Sequence, residues 1–204
     1  MKKYLTLSLA GLLLAGTATA QTYTDSQLSA RMTEIEQNKK MASLTQKAIE
    51  KKVLKSAKKQ AAILRKDGWK ENPGSLPMEK QLTNMLLKRY ERVNDFPTYI
   101  VTESSYKADD LRAARRGAKV TADAEIGEQI AAEVATSTSL EYNGASENKD
   151  VLLDKIRRIS KASIRNTETV LEIFRETNGM YEFHIGVAYS GSSAKNIIEK
   201  AQNE

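Results

Sequence analysis

The chain has 204 residues, a formal net charge of +6 and a hydrophobic content of 40%. It contains no cysteine and one histidine, which excludes disulfide bonds and the cysteine- and histidine-rich sites that hold zinc. The hydrophobic content is sufficient for a core, so we expect a folded chain whose stability comes from that core alone.

The first 20 residues have the pattern of a secretory signal peptide. Lys2 and Lys3 precede a short apolar stretch, and Ala18-Thr19-Ala20 is a small-residue cleavage site. The apolar stretch is shorter than the ~20 residues that a membrane span needs, so we expect cleavage rather than anchoring. Cleavage removes two lysines and lowers the net charge from +6 to +4. The expected location is the periplasm or the outer membrane, with secretion as the alternative.

A long basic helix is predicted over residues 21–67, ahead of an α+β domain over residues 68–204. Apolar residues recur in the helix at spacings of three and four, and Gly68 follows it as a C-terminal cap. Between residues 39 and 66 the chain carries ten basic residues and one acid, Glu50. A helix of this length is not compact, so we expect its N-terminal half to project from the domain or to pack on another chain as a homo-oligomer contact.

The lysines of this helix form the candidate binding surface. They are open to three interpretations: a solvated face without a partner, adhesion to anionic lipid or polysaccharide, and a chaperone arm that grips unfolded envelope clients. Nucleic acid is not expected as a partner, because the chain is exported and no aromatic residues are interleaved with the lysines. The residues of this surface are Lys47, Lys51, Lys52, Lys55, Lys58 and Lys59.

The next elements alternate between strand and helix. A short strand over 69–71 ends at a Pro73-Gly74 turn, a helix is predicted over 77–93, and a strand over 98–104. A further helix begins at Leu111 and is capped by Asp109 or Asp110. Its glycines, Gly117 and Gly127, each weaken a helix by ~1 kcal/mol relative to alanine. We therefore expect a close backbone approach there, with this helix lying flattest against the sheet.

The last third of the chain predicts most of the sheet. After Ala132 the period changes to two, which predicts a strand over 134–142, and a helix follows over 149–161. The dipeptide Asn178-Gly179 separates strands over 169–175 and 181–189, as in a type I′ hairpin. Ser192 or Ser193 is predicted to cap the final helix. The pattern indicates an α+β fold with a mixed, partly antiparallel sheet of about five strands covered by helices.

No catalytic signature accompanies these elements, so a non-enzymatic chain without a cofactor or metal is expected. His184 shares a strand face with Glu182. We interpret it as an exposed or half-exposed sheet residue, and a general base paired with Glu182 is the alternative, for which no nucleophile is placed. Residues 190–193 (SGSS) are interpreted as an ordinary loop, with an anion cradle at the helix N-terminus as the alternative.

Two passages resemble a known family. The stretch "DDLRAARRGAKVTADAEIGEQIAAEVATSTS" is similar to the alanine-rich helix and following strand of the twenty-kilodalton bacterial lipoprotein family, and to the related N-terminal domain of the flagellar-assembly T protein. The matching positions are Ala114, Arg115, Ala118, Ala122, Ile126, Ile130, Val134 and Thr136. The hairpin "VLEIFRETNGMYEFHIGVAYS" resembles the strand pair of the family, and the resemblance covers about residues 98–190.

The resemblance implies an envelope-associated, non-enzymatic α+β module with no catalytic residues to carry over. The chain lacks the lipidated cysteine of that family, so the resemblance does not carry over a lipid anchor. The expected function is that of a structural or protein-interaction module of the cell envelope, with envelope proteins or an anionic envelope surface as partners. The alternative is a periplasmic chaperone or an anionic-surface binder that uses the lysine-rich helix.

Overall fold

A computed structural model describes residues 25–137 and 149–204. The signal peptide predicted over residues 1–20 lies outside these ranges. The described residues form an α+β fold, with six helices, a four-stranded antiparallel sheet and a two-stranded sheet. No helix within these ranges has both the length and the apolar character that a membrane crossing requires.

The basic segment forms two helices rather than one. Helix α1 spans Asp25–Ala42 and helix α2 spans Gln46–Lys66, with a break at residues 43–45 where Thr45 has an extended backbone. Ser43 donates its hydroxyl to the Lys40 carbonyl, which helps to end α1. The expectation that the N-terminal half projects is wrong, because α1 packs on the helices that span Met78–Tyr90 and Leu111–Thr136, and Ile35 is 0% exposed.

The predicted strand and helix after α2 are confirmed with shorter bounds. Gly68 has a φ of 84° and lies directly after the α2 cap residue, and strand β1 spans Lys70–Glu71. Helix α3 spans Met78–Tyr90, so the helix predicted to residue 93 ends three residues early. Strands β2 (Arg92–Val93) and β3 (Phe96–Pro97) form a small hairpin, which Asn94 and Asp95 turn with φ values of 52° and 60°.

The main sheet has the order β1-β5-β6-β4, and each neighbouring pair is antiparallel. Strand β4 spans Tyr99–Ala108, β5 spans Glu168–Thr177 and β6 spans Met180–Ser190. The β5–β6 turn has φ values of 54° at Asn178 and 75° at Gly179, which confirms the predicted hairpin. The described sheet thus has four strands, where about five were expected.

Helix α4 accounts for part of that difference. It spans Leu111–Thr136, and Asp110 caps it by accepting a hydrogen bond from the Ala113 amide. The strand predicted from residue 134 is wrong at its first positions, because the helix continues through Val134, which is 1% exposed in the core. The rest of that predicted strand, from residue 138, lies outside the described residues.

Helices cover both faces of the sheet. On one face lie α4, α5 (Lys149–Ser163) and α6 (Gly191–Asn203), whose apolar side chains form one core with Phe183, Ile185 and Val187. On the other face α3 packs on the sheet, and α2 packs on α3, around Leu171 and Ile173. Because α2 contributes Val53, Ala57 and Ala61 to this second core, its lysines are held on a rigid element.

Candidate functional site: a lysine ridge and a serine–histidine–glutamate cluster

The outer surface of α2 carries the predicted binding residues. Ile49, Val53, Ala57, Ala61 and Leu64 are buried, and their spacing turns one stripe of the helix towards α3. The opposite stripe is basic and exposed, and we call it the lysine ridge. It consists of Lys47, Lys51, Lys52, Lys55, Lys58 and Lys59.

The cations of the lysine ridge have no acidic partners within the described parts of the chain. The ion pair that α2 does make is between Arg65 and Glu71, at 2.9 Å and outside the ridge. The one acid of the helix, Glu50, accepts a hydrogen bond from the Gln46 side chain. The positive charge of the lysine ridge therefore faces solvent, where a binding partner can reach it.

The shape of the lysine ridge favours an extended partner. From Lys47 to Lys59 an α-helix rises roughly 18 Å, at 1.5 Å per residue. The surface of a helix is convex, so the six cations diverge and do not converge on one small ligand. Leu54 and Ile63 are 55% and 50% exposed on the same helix, which places apolar side chains next to the charges.

A second polar site lies at the hairpin end of the sheet, on the face that α3 only partly covers. Ser105 of β4 and His184 of β6 are direct cross-strand partners. The Ser105 hydroxyl lies 2.7 Å from His184 Nδ1, and His184 Nε2 lies 3.0 Å from a carboxylate oxygen of Glu103. We call Ser105, His184 and Glu103 the polar triad.

The half-exposed position expected for His184 is confirmed, since its side chain is 19% exposed, but the pairing with Glu182 is wrong. Glu182 lies on the same sheet face and forms an ion pair with Arg175 at 2.7 Å. It also lies 3.8 Å from Lys107. The carboxylate that reaches His184 comes from Glu103, which stands on the neighbouring strand.

Arg89 keeps the Glu103 carboxylate of the polar triad ionised. It extends from α3 and pairs with Glu103, and it also lies 3.6 Å from Glu34 of α1. Burial alone would raise the pKa of Glu103, but the charge of Arg89 and the hydrogen bond to His184 outweigh it and lower the pKa to about 2. Glu103 is therefore a carboxylate throughout the physiological pH range.

Trp69 borders the polar triad on the side of the hairpin. Its ring meets the His184 imidazole edge to face, with 5.9 Å between the ring centres. The Arg175 guanidinium lies over the same ring, 4.7 Å from its centre. These contacts limit the rotation of the imidazole and leave the Ser105 side open, where the residue is exposed.

Two other candidates carry less chemistry. The polar groups of residues 190–193 (SGSS) are used within the fold. Helix α6 begins at Gly191, and the Gly191 amide donates to the Thr98 carbonyl. The hydroxyls of Ser190 and Ser192 hydrogen-bond each other. The predicted cap by Ser192 or Ser193 is wrong, since Ser190 occupies the N-cap position without a side-chain cap bond.

An open groove of about 570 Å³ runs beside β5, between α3 and α4. Its cations are neutralised locally, because Lys88 pairs with Glu168 and Arg115 pairs with Glu172. Among residues 25–137 and 149–204, no three His, Asp or Glu side chains are grouped so that they could hold a metal ion. Comparison with models of protein families, with curated protein sequences and with solved structures finds no match.

The sequence identified the ridge lysines but not the polar triad. The ridge residues lie on one continuous helix, whose period is visible in the sequence. Ser105 and Glu103 lie 79 and 81 residues from His184, and only the register between β4 and β6 brings them together. The one available signal was the alternation of β4, which puts Glu103 and Ser105 on one face.

Proposed function

We propose that this protein is exported to the cell envelope and acts there as an interaction module that docks on an anionic surface through the lysine ridge. The observation that carries the proposal is the set of six exposed lysines that have no acidic partner among residues 25–137 and 149–204, on a helix that is anchored in the core. The signal-peptide pattern and the resemblance to the lipoprotein family support the location. Docking of this kind needs no catalytic group from the chain.

An anionic lipid surface is the partner that fits the lysine ridge best. Each lysine near such a surface contributes ~1 kcal/mol, and six act together when they share one side of a helix. Exposed Leu54 and Ile63 lie beside the charges and can enter the headgroup region, as on interfacial helices. A hydrated polysaccharide would gain nothing from these two apolar side chains.

Vesicle co-sedimentation tests the proposal. We expect the protein without residues 1–20 to bind vesicles that contain roughly one third phosphatidylglycerol, and to bind pure phosphatidylcholine at least about tenfold more weakly. Changing Lys51, Lys52, Lys55, Lys58 and Lys59 to Glu should abolish the difference. Raising the salt from about 0.05 to 0.5 M should weaken the binding of the unchanged protein, because the contacts are exposed.

A matched variant separates the lysine ridge from net charge. Five exposed basic residues outside α2 can be changed to Glu, which alters the net charge by the same amount. They are Lys70, Lys80, Arg116, Lys161 and Lys200. This variant should retain most of the binding. Equal binding by the ridge variant and the unchanged protein would overturn the proposal.

A further inference from the structure

The polar triad has the connectivity of a nucleophile, a base and a carboxylate that orients the base. One unbroken hydrogen-bond chain runs from the Ser105 hydroxyl through both nitrogens of His184 to Glu103. Backbone pairing of β4 with β6 fixes the positions of all three residues, since they project from one sheet face. Sites placed on strands hold their geometry better than sites on loops.

The partners of His184 determine where its proton lies. An ionised carboxylate only accepts hydrogen bonds, so the bond to Glu103 requires the proton on Nε2. In the neutral imidazole Nδ1 is then free to accept, and the Ser105 hydroxyl donates to it over 2.7 Å. This is the arrangement that lets a histidine take a proton from a serine as it attacks.

The backbone beside Ser105 supplies amide hydrogen-bond donors. Gly191 donates to the Thr98 carbonyl, and residues of an antiparallel strand turn alternately to either side. The amides of Thr102, Ser104 and Tyr106 therefore point to β6, and those of Ser105 and Lys107 point away from the sheet. Strand β4 is the edge of the sheet that the described residues form, and no other residue in that part of the chain hydrogen-bonds these two amides.

An oxyanion that forms at Ser105 would thus meet amide donors of β4 that no described strand pairs with. Ser105, Tyr106 and Lys107 are exposed, so an acyl compound can reach the hydroxyl without any rearrangement of the chain. The Ser105 side of the site is open to solvent. We therefore expect modest acceleration with activated esters rather than selective catalysis.

We propose that Ser105 is a nucleophile towards carboxylic esters, with His184 as its general base and Glu103 as the positioning residue of His184. Ser105 Oγ forms a bond to the carbonyl carbon while its proton moves to His184 Nδ1. The carbon–alkoxide bond then breaks, and the leaving alkoxide takes that proton. Water attacks the acylated serine, gives a proton to His184, and Ser105 Oγ recovers it as the carboxylic acid leaves.

Covalent labelling and ester turnover test this proposal together. A fluorophosphonate probe should attach one phosphonyl group to Ser105, with loss of fluoride, and peptide mass spectrometry locates it. Hydrolysis of p-nitrophenyl acetate should be faster with the unchanged protein than with Ser105→Ala. Ser105→Ala should abolish the labelling, and His184→Gln should slow it by roughly 100-fold, the usual contribution of a general base.

Two further variants keep the test specific. Glu103→Gln should lower the rate and change the pH profile, because a carboxamide no longer fixes the proton of His184 on Nε2. Ser104→Ala should have no effect, since Ser104 is the adjacent serine but projects from the opposite sheet face. Labelling that is absent from Ser105, or that is equally fast in His184→Gln, would overturn the proposal.

Ester hydrolysis at Ser105 is a separate activity from membrane docking and does not depend on it. The ridge variant described above should label at Ser105 as fast as the unchanged protein, and Ser105→Ala should bind vesicles normally. Each proposal can thus fail alone. Success of the labelling test would end the expectation that the chain is non-enzymatic.

Discussion

At the scale of single residues, the two glycines of α4 mark close approaches to two different neighbours. A Cβ at Gly117 would lie 2.4 Å from the Tyr106 ring of β4, so this glycine does meet the sheet. A Cβ at Gly127 would lie 2.8 Å from Ser160 Cβ of α5. The sequence predicted close contact at both positions, but it could not tell that the second contact is with a helix.

Replacing Gly127 with Ala should destabilise the protein. The new methyl group overpacks a fully buried contact at a cost of roughly 1–3 kcal/mol, which exceeds the ~1 kcal/mol gained in helix propensity. We expect a net loss of about 1 kcal/mol, and no more than ~2 kcal/mol, in urea unfolding. In a Ser160→Gly background the obstructing Cβ is gone, so the same change should be stabilising; destabilisation in both backgrounds would contradict the contact.

Glu103 should make stability depend on acid pH. Its pKa is lowered from 4.5 to about 2 in the folded protein, so the ionised form is favoured by folding. The stabilisation is complete above about pH 4.5 and is lost as the pH falls towards 2. The difference in unfolding free energy between the unchanged protein and Glu103→Gln should therefore shrink over this window. A difference that stays constant from about pH 6 to about pH 2 would contradict this prediction.

Single-residue features could be predicted from the sequence where they depend only on neighbouring residues. Asn178-Gly179 predicted its turn and Asp110 its cap, because both depend on residues within three positions. The partners of His184 could not be predicted, because they depend on the register of a distant strand.

At the scale of elements, a buried ion pair fastens the β2–β3 hairpin to the end of α4. Arg92 and Glu133 approach to 2.7 Å, and both side chains are 5% exposed. Arg92 also donates to the Asp95 carbonyl within the hairpin. The pair thus links the C-terminal turns of α4 to the β2–β3 hairpin, which lies outside the main sheet. These turns include the first residues of the strand that the period-two pattern predicted.

Removing one partner of this pair should be costly. Glu133→Ala leaves the guanidinium of Arg92 buried without its carboxylate, and we expect a loss of about 3–5 kcal/mol in denaturant unfolding. The pair of Arg158 and Glu204 provides the comparison, since their side chains are 70% and 42% exposed. Arg158→Ala should change stability by less than about 1 kcal/mol. Similar losses in the two variants would show that the first pair is not buried in solution.

The elements that were predicted with wrong bounds share one physical cause. Thr136 is β-branched and fits a strand pattern, yet its hydroxyl bonds the Ala132 carbonyl within the helix. Burial of Val134 against the core decides the outcome, and burial is a tertiary effect that a local period does not contain. The break between α1 and α2 likewise lets α1 fold back onto α4.

At the scale of the whole molecule, the α+β class was predictable because strands and helices alternate in the sequence. The strand order was not, since the residues that pair between β1 and β5 and between β4 and β6 are 73 to 104 positions apart in the sequence. The basic charge is also concentrated on one side of the molecule. The lysine ridge lies on the surface of α2 that faces away from α3. A protein that docks by this ridge would present α5 and α6 to the opposite side.

The strand order also governs when the protein can fold. Within the described sheet, β1 and β4 each pair with one strand of the hairpin that ends 14 residues before the C-terminus, so this sheet cannot close until almost all of the chain is available. Pairings of such long sequence separation form slowly, because the loop must close before any contact repays it. During synthesis, helices α1 to α5 would be made before the sheet is complete. We therefore expect the sheet to form late, only when the synthesis of the chain is nearly complete.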